Sequence, residues 1–230
     1  MGEQPAQVVA SPLTSQTENI ALLEPDFVAF YAPAVLALLL QHIAVTFGAL
    51  AIVRERLFGA MELFRVAPVS PVQVLLGKYL AYSLLAAFVT VALTALIVRQ
   101  LRVPFAGNYD FFAGVIVALV VASLGFGFLI SLVSGSERQA VQLSMLMLIA
   151  SVFFSGFFIR LDSFVWPVRG IAYVLPVTYG IQTLQNVMLR GSNQYYGLAA
   201  LIALALSLVI LAGLLLHREF GRPGGSQIEA

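Results

Sequence analysis

Arg54–Lys78 reads RERLFGAMELFRVAPVSPVQVLLGK, and nearly everything on either side of it is apolar. Upstream, the run Pro33–Val53 holds no charged residue. Downstream, Lys78–Val98 holds none beyond the lysine itself. Each run reaches the roughly 20 residues that a helix needs to cross the hydrocarbon core. Charge held between two such runs must lie in water, where a partner can meet it. The segment therefore decides the fold: helices threaded through a membrane, with one loop made for contact.

Composition agrees. Of 230 residues, 60% are hydrophobic and 10% charged, against about 25% charged in soluble domains. Further spanning candidates lie at Phe111–Val133, Arg138–Ile159 and Gly197–His217, which gives five in all. The runs are continuous and lack the alternating period of barrel strands, so the expected class is an all-α polytopic membrane protein. A net charge of +1 argues against a nucleic-acid surface. The chain has no cysteine and two histidines, so no thiolate chemistry is available and a His-rich metal site is not expected. No cofactor is expected.

Residues 1–27 read as an extended, extracytoplasmic lead-in. They carry Pro5, Pro12 and Pro25 and no Lys or Arg, and they lack the basic and apolar parts of a signal peptide. Residues 28–222 form one membrane domain, and 223–230 a flexible cytosolic tail. Placing Arg54–Lys78 inside puts Arg54, Arg56, Arg65, Lys78, Arg138, Arg218 and Arg222 inside. Arg99, Arg102, Arg160, Arg169 and Arg190 then lie outside. The bias runs in the positive-inside direction. Between Arg160 and Arg190, Trp166, Tyr173, Tyr179, Pro167 and Pro176 point to short helices at, or dipping into, the outer interface.

Within the charged segment, helical spacing places Leu57, Ala60, Met61 and Phe64 on one face and Glu55, Gly59 and Glu62 on the opposite one. A helix over Arg54–Arg65 would lie on the membrane with its acidic edge towards water. Arg54 and Arg65 flank its apolar face. Pro68 and Pro71 are expected to end it, Ser70 to cap the element after it, and Gly77 and Lys78 to close the segment. Physics alone leaves a second reading equally open, an ordinary solvated loop with Glu62 and Arg65 paired.

The string R-E-R-x-x-G-x-x-E, then A-P-V-S-P, then L-L-G-K resembles the loop between the second and third spans of type 2 ABC transporter permeases. The resemblance implies a coupling helix that contacts an ABC ATPase subunit through Arg54, Glu55, Arg56, Gly59, Glu62, Pro68, Ser70, Gly77 and Lys78. It extends over residues 28–222, through the small-residue span Phe111–Val133, Arg138, and the outer stretch Leu175–Tyr179. That family usually has six spans, so the resemblance also implies that the first is lacking here. It further implies a multi-pass protein of the cell inner (plasma) membrane. This would be the permease of an exporter, a homo- or heterodimer driven by alternating access. Its substrate would be amphipathic and drug-like, lipid-like or a polysaccharide, as in multidrug efflux.

Rival classes are a membrane scaffold without transport and an ion-coupled carrier. The acidic coupling face disfavours the first, and the lack of acidic residues inside the spans disfavours the second. Gly77-Lys78 is not a phosphate-binding loop, because Val72 occupies its first glycine position and Tyr79 follows the lysine. No G-x-S-x-G elbow is present. The chain is read as a transport subunit, not an enzyme. Gln41, His42 and Thr46 are costly inside a span. They either hydrogen-bond to a neighbouring helix or line the substrate path. Ser123, Gly127, Ser131 and Gly135 recur at four-residue spacing and should permit close helix contact.

Overall fold

The structure is a computed structural model that describes residues 27–59 and 70–220. All regular structure among the described residues is helical. In chain order the helices are α1 (Phe27–Leu57), α2 (Pro71–Ala95), α3 (Tyr109–Val133), α4 (Glu137–Phe154), α5 (Trp166–Val174), α6 (Pro176–Arg190) and α7 (Tyr195–Phe220). A π turn, Leu96–Gln100, extends α2, and a 3₁₀ turn, Leu161–Ser163, precedes α5.

Four helices have the length and apolarity to cross a membrane: Phe27–Leu57, Val72–Gln100, Tyr109–Val133 and Tyr195–Arg218. They run longer than the sequence spacing predicts. At 31 residues α1 extends about 46 Å, well past a hydrocarbon core of about 30 Å. The remaining candidate, Arg138–Ile159, is shorter than expected. Its helix stops at Phe154, and Gly156 follows in the left-handed region with φ of 89°. It begins with polar Glu137, Arg138 and Gln139, and its 18 residues extend about 27 Å.

The centre of the bundle is the crossing of α1 and α3. A Cβ on Gly127 would lie 2.5 Å from the Val45 carbonyl oxygen and 2.8 Å from Gly48 Cα, so the two backbones touch. Next along the seam, Ser131 Oγ accepts from the amides of Ile52 and Val53 at 3.0 and 2.9 Å. In lipid, close approach and interhelical hydrogen bonds replace the hydrophobic drive that water supplies. The small-residue stripe works at Gly127 and Ser131. Ser123 is buried and bonds its own helix at Leu119, and Gly135 lies in the turn before α4. Leu36, Leu40, Leu119, Leu124 and Phe128 fill the core around the crossing.

The outer aromatic stretch folds as expected into short helices, α5 and α6, but α6 is no surface element. Its apolar face, with Val177, Ile181, Leu184 and Met188, is fully buried against the core. Met147, Phe154 and Phe157 pack on the core from the α4 side, whereas Met145, Phe153 and Phe158 are exposed.

Candidate functional site

Two groups of polar residues organise the bundle, one at the charged end of α1 and one midway along it. The first starts from Arg54 and Arg56 in the last turn of α1, where cations favour the helix C-terminus. Each charge of the Arg54-Glu55-Arg56 triplet then reaches a different element. Arg54 Nε meets Glu137 Oε2 of α4 at 3.3 Å, in an exposed pair. Glu55 forms an ion pair with Lys78 in the second turn of α2. Lys78 Nζ also donates to the Ala51 carbonyl at 3.4 Å. Arg56 donates to the carbonyls of Ser131 and Ser134 at the end of α3, the latter at 2.9 Å. Those carbonyls belong to the last turn, which lacks partners within its own helix. Arg56 thus caps α3, Lys78 anchors α2 and Glu137 anchors α4, all on three consecutive residues of α1.

The Glu55–Lys78 pair carries more weight than the Arg54–Glu137 pair. Its side chains are 26% and 11% exposed, so water screens it less. Glu55 Oε2 is buried without a hydrogen-bond partner among the described residues. Removing Lys78 would leave a half-buried carboxylate with neither neighbour nor full hydration.

Beyond this hub the helix expected over Arg54–Arg65 is interrupted. α1 ends at Leu57, and Gly59 adopts φ of 72°, a left-handed conformation that suits a residue without Cβ. Glu55 therefore faces α2 as part of the span. Ala60, Met61, Glu62, Phe64, Arg65 and Pro68 lie outside the described residues. The lead-in, 1–26, and the tail beyond 220 lie outside them too. Pro71 opens α2 at its first helical position. Ser70 caps α2 as anticipated. Its Oγ accepts from the Gln73 amide at 3.3 Å, and its own amide donates to Gln73 Oε1 at 2.9 Å, a reciprocal capping box. Gly77 stands one turn into α2, with open space where a side chain would be.

The second group lies midway along α1. Gln41 is fully buried: its Nε2 donates to Ser151 Oγ of α4, and its Oε1 accepts from the Val177 amide of α6 at 2.9 Å. Val177 lies in the first turn of α6, where backbone N–H groups have no helical acceptor. One side chain of α1 thereby caps a helix 136 residues away. Thr46 Oγ1 reaches Ser144 Oγ at 3.5 Å. His42 is half-buried, with Nδ1 lacking a partner among the described residues. The three residues therefore separate: Gln41 ties helices together, while His42 and Thr46 lie on a partly open strip of α1 beside α4.

Glu137, Ser151, the Ser131 and Ser134 carbonyls and the Val177 amide complete these groups, and no motif in the sequence singles them out for these roles. Glu137 is detectable as an acidic residue in a helix's first turn. The others contribute backbone atoms or one serine among many, and nothing local marks them. Among the described residues no cluster of acidic, histidine or cysteine side chains could hold a metal ion.

A bundle of membrane-length helices, bolted at one end by charge and centred on a buried polar junction, defines a multi-pass membrane protein. The chain belongs to the ABC-2 family of transporter proteins, whose pattern it matches over residues 2–217. It is 25% identical over 186 residues to the "Probable multidrug ABC transporter permease YbhS" of Escherichia coli (strain K12), covering 80% of this chain and 49% of that one. Against "ABC transporter G family member 20" of Dictyostelium discoideum it is 24% identical over 201 residues, 85% of this chain and 27% of the other. Against the "Inner membrane transport permease YhhJ" of E. coli (strain K12) it is 24% identical over 152 residues, 66% of this chain and 41% of that one. The chain spans about half the length, or less, of these curated relatives.

Proposed function

We propose that this chain is the membrane-spanning part of an ATP-driven exporter in the inner membrane, with the Arg54–Lys78 segment turned to the cytosol and engaged by a separate ABC ATPase. The reading rests on the hub: the same segment that the family resemblance assigns to the ATPase is bolted to α2, α3 and α4 through Glu55, Arg56 and Arg54. A push on the segment would be distributed to three helices at once instead of being lost in a hinge. Two such subunits, alike or different, would enclose the path, with His42 and Thr46 on the strip of α1 that faces it. An amphipathic, drug-like or lipid-like substrate suits a strip that is mainly apolar with a few polar groups, and multidrug export is the role carried in the name of the YbhS relative.

The test is charge reversal at Glu62. Glu62→Arg would set like charge against a basic socket on the ATPase, and an interfacial charge left unpaired typically costs about 2–5 kcal/mol. ATPase pull-down and transport-linked hydrolysis in reconstituted membranes should fall at least ~30-fold at the lower end of that range, with normal insertion. Unchanged complex and activity would return the segment to an ordinary solvated loop.

A further inference from the structure

At the end of the bundle opposite the hub, cavities of about 210 and 400 Å³ share Arg160, Asp162, Gln182 and Gln185, so they adjoin as two halves of a bowl. Phe30, three residues into α1, lines it, so it lies a full span away from Arg54. The lining is rich in donors. Arg160, Arg169 and Arg190 can only donate, and Gln182, Asn186 and Gln194 add side-chain amides. Among the described residues Asp162 is the one carboxylate in the lining, and it lies between Arg169 at 3.0 Å and Arg160 at 3.7 Å. Three arginines less one carboxylate leave the described lining at +2.

A second observation comes from the floor. Ser155 lines the smaller cavity and is fully buried, yet its Oγ has no hydrogen-bond partner among the described residues. Buried hydroxyls ordinarily have one. Nothing in α4 requires a serine there for capping, because the Ser155 amide already bonds the Ser151 carbonyl at 3.0 Å. In the larger cavity Arg190 donates to the Asn186 amide oxygen at 3.2 Å, its one side-chain partner among the described residues. Excess cations above an unpaired buried hydroxyl favour a ligand with several acceptor oxygens and negative charge.

We propose that this bowl binds a phosphate-class anionic head group, with Arg160 and Arg190 as its cations and Ser155 Oγ as a donor from below. The volume accommodates a phosphate with a glycerol-sized neighbour, since ligand pockets run from about 300 Å³ upward. Phe30 and Leu189 line the larger cavity and give an attached acyl chain an apolar way out. The site needs no ATPase and no transport cycle, so it stands or falls apart from the exporter reading.

The experiment is calorimetric titration of the full chain in dodecyl maltoside with three probes: dihexanoyl phosphatidic acid, dihexanoyl phosphatidylcholine and inorganic phosphate. Phosphatidic acid should bind saturably, and phosphatidylcholine at least ~10-fold more weakly, as two charge-assisted contacts require. Arg160→Gln combined with Arg190→Gln should weaken phosphatidic acid binding by ~10-fold without changing the unfolding midpoint. Arg160→Lys should retain more affinity than Arg160→Gln, and Ser155→Ala should lose several-fold. Competition by inorganic phosphate would identify a free anion as a sufficient ligand; no competition would identify the head group of an amphiphile. Equal binding of the two lipids, or full phosphatidic acid affinity in the folded double variant, would overturn the proposal.

Discussion

α1 and α3 occupy the centre of this bundle, and α2 and α7 its rim, although all four are similarly apolar. The membrane-length windows of α1 and α3 are 61% and 67% buried inside the chain, those of α2 and α7 only 17% and 22%. Hydropathy therefore says which helices enter the membrane and little about which helices meet. The difference lies in small and polar residues. Gly48, Gly127 and Ser131 let α1 and α3 touch backbone to backbone, and Gln41 adds a buried polar tie. On α2 the outward row Leu80, Leu84, Phe88 and Val91 is large, apolar and exposed. In lipid a leucine gains nothing by leaving one hydrocarbon neighbour for another, whereas a glycine seam gains close packing.

The largest effect should come from closing that seam to one methyl group. Gly127→Ala would drive a Cβ to 2.5 Å from the Val45 carbonyl oxygen, and the backbones would have to part. The expected loss is about 3 kcal/mol, read as a lower unfolding midpoint in detergent. An unchanged midpoint would mean that the α1–α3 crossing is looser than this geometry.

A smaller loss is expected for Gln41→Leu. It keeps the side chain's bulk but strands the Val177 amide and the Ser151 hydroxyl, at a cost of about 2 kcal/mol. Amide exchange at the start of α6 should rise with it. A stabilised variant would show that packing, not the hydrogen bonds, holds that junction.

The smallest effect should fall on the rim. Phe88 is 75% exposed on α2, so Phe88→Ala should change stability by less than about 0.5 kcal/mol. A clearly larger loss in reconstituted membranes would show that another protein surface covers this face, and would erase the contrast between centre and rim.

Parts of this arrangement are readable in the chain and parts are not. The spans stand out because charge is excluded from long runs. Ser70 declares a helix start because Pro71 and Gln73 come after it with capping-box spacing. The stripe through Gly127 and Ser131 announces close contact by its period. Glu55 is different. The helical wheel continues its helix to Arg65, but the helix ends at Leu57 and Gly59 turns left-handed, and a left-handed glycine looks like any other in a string of letters. Gln41 is visible as a polar residue in a span, but its partners lie 110 and 136 residues away. Such pairings come from tertiary packing, and one sequence has no local signal for them. The burial of α6 is hidden for the same reason, since fifteen residues beginning with proline read as well on a surface as in a core.

The central claim of the proposed exporter reading is that the charged end of α1 transmits movement through Glu55 and Lys78. The direct measurement is drug-stimulated ATP hydrolysis by the assembled transporter in proteoliposomes, for Lys78→Glu, Glu55→Lys and the two combined. Each single change places like charges together at a half-buried site and should uncouple hydrolysis from substrate at least ~10-fold. The double change restores an ion pair with reversed polarity and should recover most of the coupling. Full coupling in Lys78→Glu alone, with the chain inserted and the ATPase bound, would contradict the account.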